Sequence, residues 1–528
     1  MVERVARWLA GARRLAYACS EVEVTVHNVG GWTARWARVA PDRLAVVDGD
    51  LRLTYAEFDD RVARTAGWLA GRGVARGDRV AIVSSNCAAY LELVLGAARV
   101  GALSVPINTR LSPRELAFQL DDCRPALVVC EPALRETLLA AGTQTSHELA
   151  QLVEVGDRYD RELAIAPASG VTPVAADDPM MILYTSGTTG SPKGAVLPHR
   201  KTLYNALNAQ LYFGIRSGED RVLVASPLFH SLGLKILSLP VLYAGGTLVL
   251  LRRFDPAEFW RAVTRERITY SGGVPTQYRR LLEQLGGAAR ELDRSSLRFL
   301  FTAGAAVAPE TVRAYQRQGL VLKQGFGQTE TSILCCLHED DAVRKAGSVG
   351  RPVFHAELRI VDRECCADPP EDWREVASGE VGEIVVRGPI TMLGYWERPD
   401  DSAETLRGDW LRTGDLASRD DEGFVTLTGR AHDMYISGGE NVYPAEIESV
   451  LAEHPAIREV AVIAVPDPDW GEAGRAHAVL EAGATLRLEQ LRHWASERLA
   501  RFKLPRELVI VTSLPRTASG KVQKHELG

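Results

Sequence analysis

The sequence predicts an α/β protein with a large N-terminal domain of two doubly wound sheets plus a β-barrel-like subdomain, and a small α+β C-terminal domain. Three observations predict it. From residue 44 onward, short apolar strand-like runs alternate with segments of helical period, the pattern of a parallel sheet covered by helices on both faces. From about Ala356 the runs shorten to ELRIVD, GEIVVRG and FVTLTG, separated by Gly, Pro and Asp, the texture of an antiparallel barrel or meander. After Gly429-Arg430 a small unit of helices and strands follows. The chain has 528 residues, too many for one core at roughly 150 residues per folding unit. Texture divides it into an N-terminal extension at 1–30, a large domain at 31–430 and a small domain at 431–528.

The elements follow in order. Thr54 and Glu57 form a capping-box pattern, and Phe58, Val62, Ala66 and Leu69 then share one helical face before Gly71 and Gly73 end the helix. RVAIV (Arg79–Val83) reads as a buried strand, YLELVLGAARV as a helix and ALSVPI as a strand. Ser112 and Glu115 make a second capping box with Pro113 at the first helical position, and ALVVC is the next strand. Further on, VLVASPL, TLVLL, TYSGG and LRFLFTAG repeat the pattern. The small domain reads as the helix PAEIESVLAEH, strands VAVIAV and RAHAVL, the helix LEQLRHWASERLA and the strand ELVIV. Right-handed crossovers would line strand ends, and any ligand, along one edge.

Composition narrows the partners. Hydrophobic residues make up 46% and charged residues 25%, ordinary for a soluble globular protein. A net charge of −6 gives no reason to expect nucleic acid or an anionic membrane. No apolar run reaches the roughly 18 residues of a membrane span. The basic, amphipathic start MVERVARWLAGARRLAYACSEV contains Glu3 and no clear small-residue cleavage site, so it reads as a leading helix or unstructured extension rather than a targeting segment. The eight cysteines include two adjacent pairs, Cys335–Cys336 and Cys365–Cys366, but no C-x-x-C. Reduced thiols in a cytoplasm are the expectation.

The stretch YTSGTTGSPKGA at 184–195 follows the apolar run MMIL. It is not the P-loop spelling, which needs Gly before Lys and Ser or Thr after it; here Pro192 precedes Lys193 and Gly194 follows. Glycines with Thr185, Ser186, Thr188, Thr189 and Ser191 offer backbone N–H groups and short hydroxyls to phosphate oxygens, and Lys193 adds a positive charge. The alternative, a flexible surface turn, explains the glycines but not the hydroxyls packed beside a lysine.

This stretch, with the following His199, resembles the signature of the adenylate-forming superfamily of acyl- and aryl-CoA synthetases, luciferases and peptide-synthetase adenylation domains. Five further stretches resemble the family's motifs in the family's order: PLFHSLGL at 227–234, GFGQTE at 325–330, LRTGDL at 411–416, GRAHDMYISGGENVYPAEIE at 429–448 and PRTASGKVQK at 515–524. The resemblance runs from about residue 30 to the end. It implies activation of a carboxylic acid by ATP to an acyl-adenylate, release of pyrophosphate, and capture of the acyl group by coenzyme A or another nucleophile.

The site residues follow from that resemblance. Thr185, Ser186, Gly187, Thr188, Thr189 and Gly190 with Lys193 would clamp the phosphates that leave as pyrophosphate. Gly304, Ala305, Gly325, Phe326, Gly327 and Gln328 would line the nucleotide site. Phe326 stands where the family usually has Tyr, which keeps ring stacking and loses a hydroxyl. Thr329 would bond the α-phosphate and Glu330 would bind Mg²⁺, a hard cation suited to one carboxylate plus phosphates; a helix-capping role is the alternative for Glu330. Asp415 would accept the ribose hydroxyls, or else only form a turn. Arg430 would hold ribose or phosphate, or else be a surface arginine. Lys521 would serve the α-phosphate during adenylation, a role its spelling in TASGK alone distinguishes from a solvated charge. The small domain would rotate between half-reactions, presenting Ser437, Gly438 and Gly439 to coenzyme A, with His432 at the hinge where the family usually has Asp or Lys. That histidine would make the balance pH-sensitive, or is a plain surface residue.

His230, Ser231, Gly233, Gly272 and Gly273 are the expected acyl pocket. The glycines leave room for a chain or ring, or serve backbone turns. His230 stands where amino-acid-activating relatives often place Asp, which favours an acid without an α-ammonium. Lys235 either meets a second polar group of the substrate or lies on a helix surface. With seven residues after Lys521 and no carrier motif, a free-standing acyl-CoA ligase is expected; transfer to an amine or carrier protein, and a non-catalytic nucleotide binder, are the alternatives. Medium-chain, aromatic and polycyclic acids all fit, and a homodimer is compatible with this reading.

Overall fold

In the computed structural model, the structure describes residues 27–528 apart from 147–150, 186–191, 288, 290, 305–306, 367, 431–432, 438–439, 469, 497, 500, 518–519 and 521. Two large sheets and two five-stranded sheets organise the chain. The seven-stranded sheet runs in the order Gly394–Tyr395, Lys193–Pro198, Pro179–Thr185, Leu103–Pro106, Arg79–Val83, Leu127–Cys130, Gln151–Glu154. Its last five strands are parallel, while the first two join antiparallel. In the nine-stranded sheet, the strands between Leu44–Asp48 and Leu322–Gln328 are likewise parallel and the outer strands antiparallel. The alternating pattern therefore reports the sheet centres. At the margins the pairing turns antiparallel, through hairpins such as Leu44–Asp48 with Leu51–Thr54 and through the sequence-distant strand Gly394–Tyr395.

Local chemistry sets the helices as the sequence indicates. Thr54 and Ser112 both close full capping boxes, with Glu57 and Glu115 reaching back to their backbone N–H groups. Phe58, Val62, Ala66 and Leu69 are all fully buried on one face of the helix Tyr55–Gly71, each large apolar side chain worth roughly 1.5–3 kcal/mol relative to exposure. A single apolar cluster joins both large sheets, including Val80 and Leu127 of one and Val46 and Val222 of the other. The helix His199–Phe213 contributes Ala206, Ala209 and Phe213 to it.

The predicted barrel-like segment is an antiparallel sheet in the order Glu357–Val361, Gly382–Arg387, Trp410–Arg419, Leu406–Arg407, with Val425–Arg430 also paired to Trp410–Arg419. The small domain has its own core of Tyr435, Ile447, Leu451, Val462, Ala476 and Leu491. Its long strands Ile457–Asp467 and Gly471–Leu480 are antiparallel, and Glu507–Ile510 adds in parallel.

Candidate functional site

The glycine- and hydroxyl-rich stretch connects two antiparallel strands, Pro179–Thr185 and Lys193–Pro198, with Thr185 opposite Lys193. It therefore leads from strand to strand, unlike a P-loop, which opens a helix. Gly194 is required by packing, since a Cβ there would lie 2.7 Å from Ile182 Cγ2. Ser186, Gly187, Thr188, Thr189 and Gly190 lie outside the described residues.

Lys193 opens the second strand. Its ammonium pairs with the Asp401 carboxylate and sits 5.5 Å from the centre of the Tyr395 ring. Tyr395 belongs to the short strand Gly394–Tyr395, which pairs with Ala195 and Val196. The Tyr395 hydroxyl donates to Glu330 Oε1 at 3.0 Å. Burial first, and the neighbouring Glu330 charge second, push this phenol far above its ordinary range. It therefore remains a donor at physiological pH. One side chain thus links the lysine of the first motif to the carboxylate of the third.

Glu330 sits in a hairpin. Strands Leu322–Gln328 and Ser332–Cys336 pair with Gln328 opposite Ser332, leaving Thr329, Glu330 and Thr331 as the turn. The sequence alternative of a helix-capping Glu330 is thereby excluded. Gly327 admits no side chain, because its Cβ would fall 1.8 Å from Ser332 O. The Gln328 N–H donates to Thr331 Oγ1 at 3.1 Å, closing the turn. The Gln328 side-chain amide donates to the Asp415 carboxylate and to Thr413 O at 2.8 Å.

Asp415 and Arg430 face each other across adjacent strands, with Arg430 Nε 2.8 Å from Asp415 Oδ1. Arg430 also donates to Thr413 O at 3.3 Å. The alternatives of a turn aspartate and a surface arginine give way to one polar cluster that Gln328 ties to the hairpin. Phe326 is half-buried beside this hairpin, directly opposite Cys335.

The expected acyl-pocket residues, with Gly304 and Gly325 of the expected nucleotide site, divide by physical role. A Cβ at Gly233 would lie 2.3 Å from Pro227 O, and one at Gly325 2.6 Å from Phe301, so both glycines permit close packing. At Gly272 and Gly273 the nearest atoms are side-chain ends, Leu237 Cδ2 at 2.8 Å and Gln277 Oε1 at 2.7 Å. Gly304 takes φ +88°, a left-handed turn with no close neighbour. His230 and Ser231 lead into the π-helical segment Leu232–Ser238, where the Leu234 N–H donates to His230 O at 3.1 Å.

Lys235 corrects the sequence reading, since it is not a helix-surface lysine. It is fully buried, donates to Thr202 Oγ1 at 2.8 Å, and burial pushes its amine down to about 7. Its neighbours Leu234, Ile236 and Leu237 are buried as well, so the whole π-helical segment packs inside, and Lys235 reaches Thr202 of the helix His199–Phe213. In the small domain Ser437 is buried in a strand opposite Gly471. Ala305, His432, Gly438, Gly439 and Lys521 lie outside the described residues.

Sequence reasoning missed Tyr395, Asp401 and Thr413. Tyr395 reads locally as a strand aromatic, and Asp401 as one of two acids in the first turn of the helix Pro399–Thr405. Only the pairing of Gly394–Tyr395 with the strand after Lys193 brings them to the site.

The residues fit a magnesium ion held mainly by phosphates. Tyr395 occupies Oε1 of Glu330, and no group of three or more acidic, Cys or His side chains forms a protein-only metal cage among the described residues. Hard Mg²⁺ is commonly bound through one or two carboxylates with substrate phosphates.

One tyrosine, with its ring beside a lysine ammonium and its hydroxyl on a carboxylate, stands with an aspartate–arginine pair that Gln328 ties to a glycine-containing hairpin, a polar arrangement suited to phosphate and ribose groups. The chain belongs to the AMP-binding enzyme family: the model for the AMP-binding enzyme matches residues 33–396, and that for the AMP-binding enzyme C-terminal domain matches residues 446–521. It is 40% identical to a feruloyl-CoA synthase of Amycolatopsis sp., over 95% of this chain and 98% of that relative. It is 38% identical to an indoleacetate–CoA ligase of Aromatoleum aromaticum, over 94% and 96%. Among solved structures, it resembles o-succinylbenzoate CoA synthetase from Bacillus subtilis in complex with its acyl-adenylate intermediate, with a TM-score of 0.84, 31% identity, and coverage of 94% of this chain and 97% of that one.

Proposed function

We propose that this acyl-CoA synthetase activates a carboxylic acid carrying an aromatic ring. The enzyme joins a carboxylic acid to coenzyme A at the expense of ATP, as its acid–thiol ligase relatives do. The observation that carries the catalytic assignment is the Tyr395 bridge, which brings Lys193 and Glu330 together. The acid class rests on the two relatives at 38–40% identity, whose names specify feruloyl and indoleacetate groups.

In the first half-reaction a carboxylate oxygen attacks the α-phosphorus of ATP. The bond to the bridging oxygen breaks, and pyrophosphate leaves. Lys193 exchanges Asp401 for the β- and γ-phosphates and neutralises the departing charge. Thr329, at the hairpin tip, bonds the α-phosphate. Glu330 would hold Mg²⁺, which would supply charge neutralisation at the phosphates when bound. Asp415 takes the ribose hydroxyls, with Arg430 and Gln328 fixing its carboxylate. Lys521 serves the α-phosphate. In the second half-reaction, with Ser437, Gly438 and Gly439 facing coenzyme A, the thiol sulfur attacks the acyl carbon. The carbon–oxygen bond to AMP breaks, and the thiol proton passes to solvent.

A screen of pyrophosphate release across arylpropenoic, arylacetic and straight-chain acids, with and without coenzyme A, tests this reading. The expected result is the highest kcat/KM on an aromatic acid and a thioester product only with coenzyme A. Preference for straight-chain acids would remove the substrate class. Adenylate formation with no thioester would redirect the acceptor to an amine or carrier protein.

A further inference from the structure

Two lysines that the catalytic scheme does not use are buried side by side behind the catalytic hairpin. Lys201, in the first turn of the helix His199–Phe213, places its Nζ 2.5 Å from Ser332 Oγ. Lys235 places its own Nζ on Thr202, the next residue of that helix. Both are essentially inaccessible, and among the described residues neither has a carboxylate at ion-pair distance. Burial, with Lys235 and Arg200 as repelling neighbours, drives the Lys201 amine well below the ordinary lysine range, and Glu330 is the attracting charge that acts against this. A cation in the first turn of a helix also meets the unfavourable end of the helix dipole. Placing a lysine here is costly, and the compensation lies with Ser332 and Glu330.

Ser332 is itself unusual. It adopts φ +62°, a left-handed conformation that is uncommon outside glycine, and it closes the turn that carries Thr329 and Glu330. Any drift of Ser332 toward ordinary backbone angles would re-aim both residues. Its hydroxyl is the point where Lys201 grips the turn, and the Lys201 N–H or lone pair can serve the bond in either charge state.

We propose that Lys201 is a positioning residue for adenylation, holding through Ser332 the turn that aims Thr329 and Glu330 at the Mg²⁺–triphosphate. The inference rests on the reading of Glu330 as the Mg²⁺ ligand. It concerns how that residue is held in place.

The test is calorimetric titration with ATP, with and without Mg²⁺, of wild type, Lys201→Met and Ser332→Gly, each checked for its melting temperature. Ser332→Gly removes the hydroxyl while accepting the left-handed angle without strain, so it carries the test if Lys201→Met does not fold. The expected result is that Mg²⁺ strengthens ATP binding less in both variants, by about tenfold or more. ATP affinity without Mg²⁺, where only the Thr329 contact is weakened, falls by less than this. An unchanged Mg²⁺ effect in a folded variant overturns the inference, as does an equal loss with and without Mg²⁺, which marks a general structural role. Wild type that binds Mg²⁺–ATP normally but shows no acid-dependent pyrophosphate exchange with ferulate or indole-3-acetate counts against the functional reading instead.

Discussion

Tyr395 is the residue on which the two proposed catalytic groups converge, since its ring lies under the Lys193 ammonium and its hydroxyl bonds Glu330. Replacing it with Phe keeps the ring and deletes one bond to a charged acceptor, worth about 1.5–3 kcal/mol. Tyr395→Phe should slow acid-dependent pyrophosphate exchange by roughly tenfold and leave thioester formation from a supplied acyl-adenylate unaltered. Equal rates of exchange in variant and wild type would show that the contact is idle. Lys235 gives a separate prediction at the same scale. Its folded amine titrates near 7 against an ordinary lysine value of 10.5, because burial opposes the charge. Between those values the unfolded chain binds the extra proton, so this residue's penalty is full below about pH 7 and fades as pH rises toward 10.5. Lys235→Met should therefore raise the melting temperature most near pH 6–7, with the gain shrinking by pH 9–10. A gain independent of pH would contradict the buried-amine account.

The catalytic hairpin sets the next scale. Gly327 is fixed by a backbone approach, with a Cβ there falling 1.8 Å from Ser332 O. Gly71 ends the helix Tyr55–Gly71 and would put its Cβ in open space. Gly327→Ala should lower stability by about 1–3 kcal/mol or more and abolish exchange, whereas Gly71→Ala should leave both nearly unchanged. A Gly327→Ala protein with wild-type melting and exchange would mean that the hairpin is looser than its geometry implies. This element also shows what the sequence could and could not display. GFGQTE marked Gly325 to Glu330 as a unit because these six contiguous residues resemble a family motif. The opposing Ser332, its positive φ and the buried Lys201 are legible only once the second strand folds back. Capping boxes at Thr54 and Ser112 were readable for the opposite reason, since each is closed within four residues.

Across the whole molecule, the α/β alternation was visible because central parallel strands are apolar on both faces. The antiparallel margins were hidden in the same apolar spelling, and one of them, Gly394–Tyr395 against the strand after Lys193, assembles the site. Asp401 could not have been found by spacing, as it lies 208 residues beyond Lys193. The separate core of the small domain is compatible with the rotation between half-reactions that the family resemblance implies. In the proposed function one site both adenylates an aromatic acid and passes it to a thiol. Mass analysis of the products from ferulate, ATP and Mg²⁺, before and after coenzyme A is added, separates the two steps. The expected products are pyrophosphate and enzyme-bound feruloyl-adenylate first, then feruloyl-CoA and AMP in equal amounts. ADP and inorganic phosphate as the nucleotide products, or AMP formed with no acid present, would contradict it.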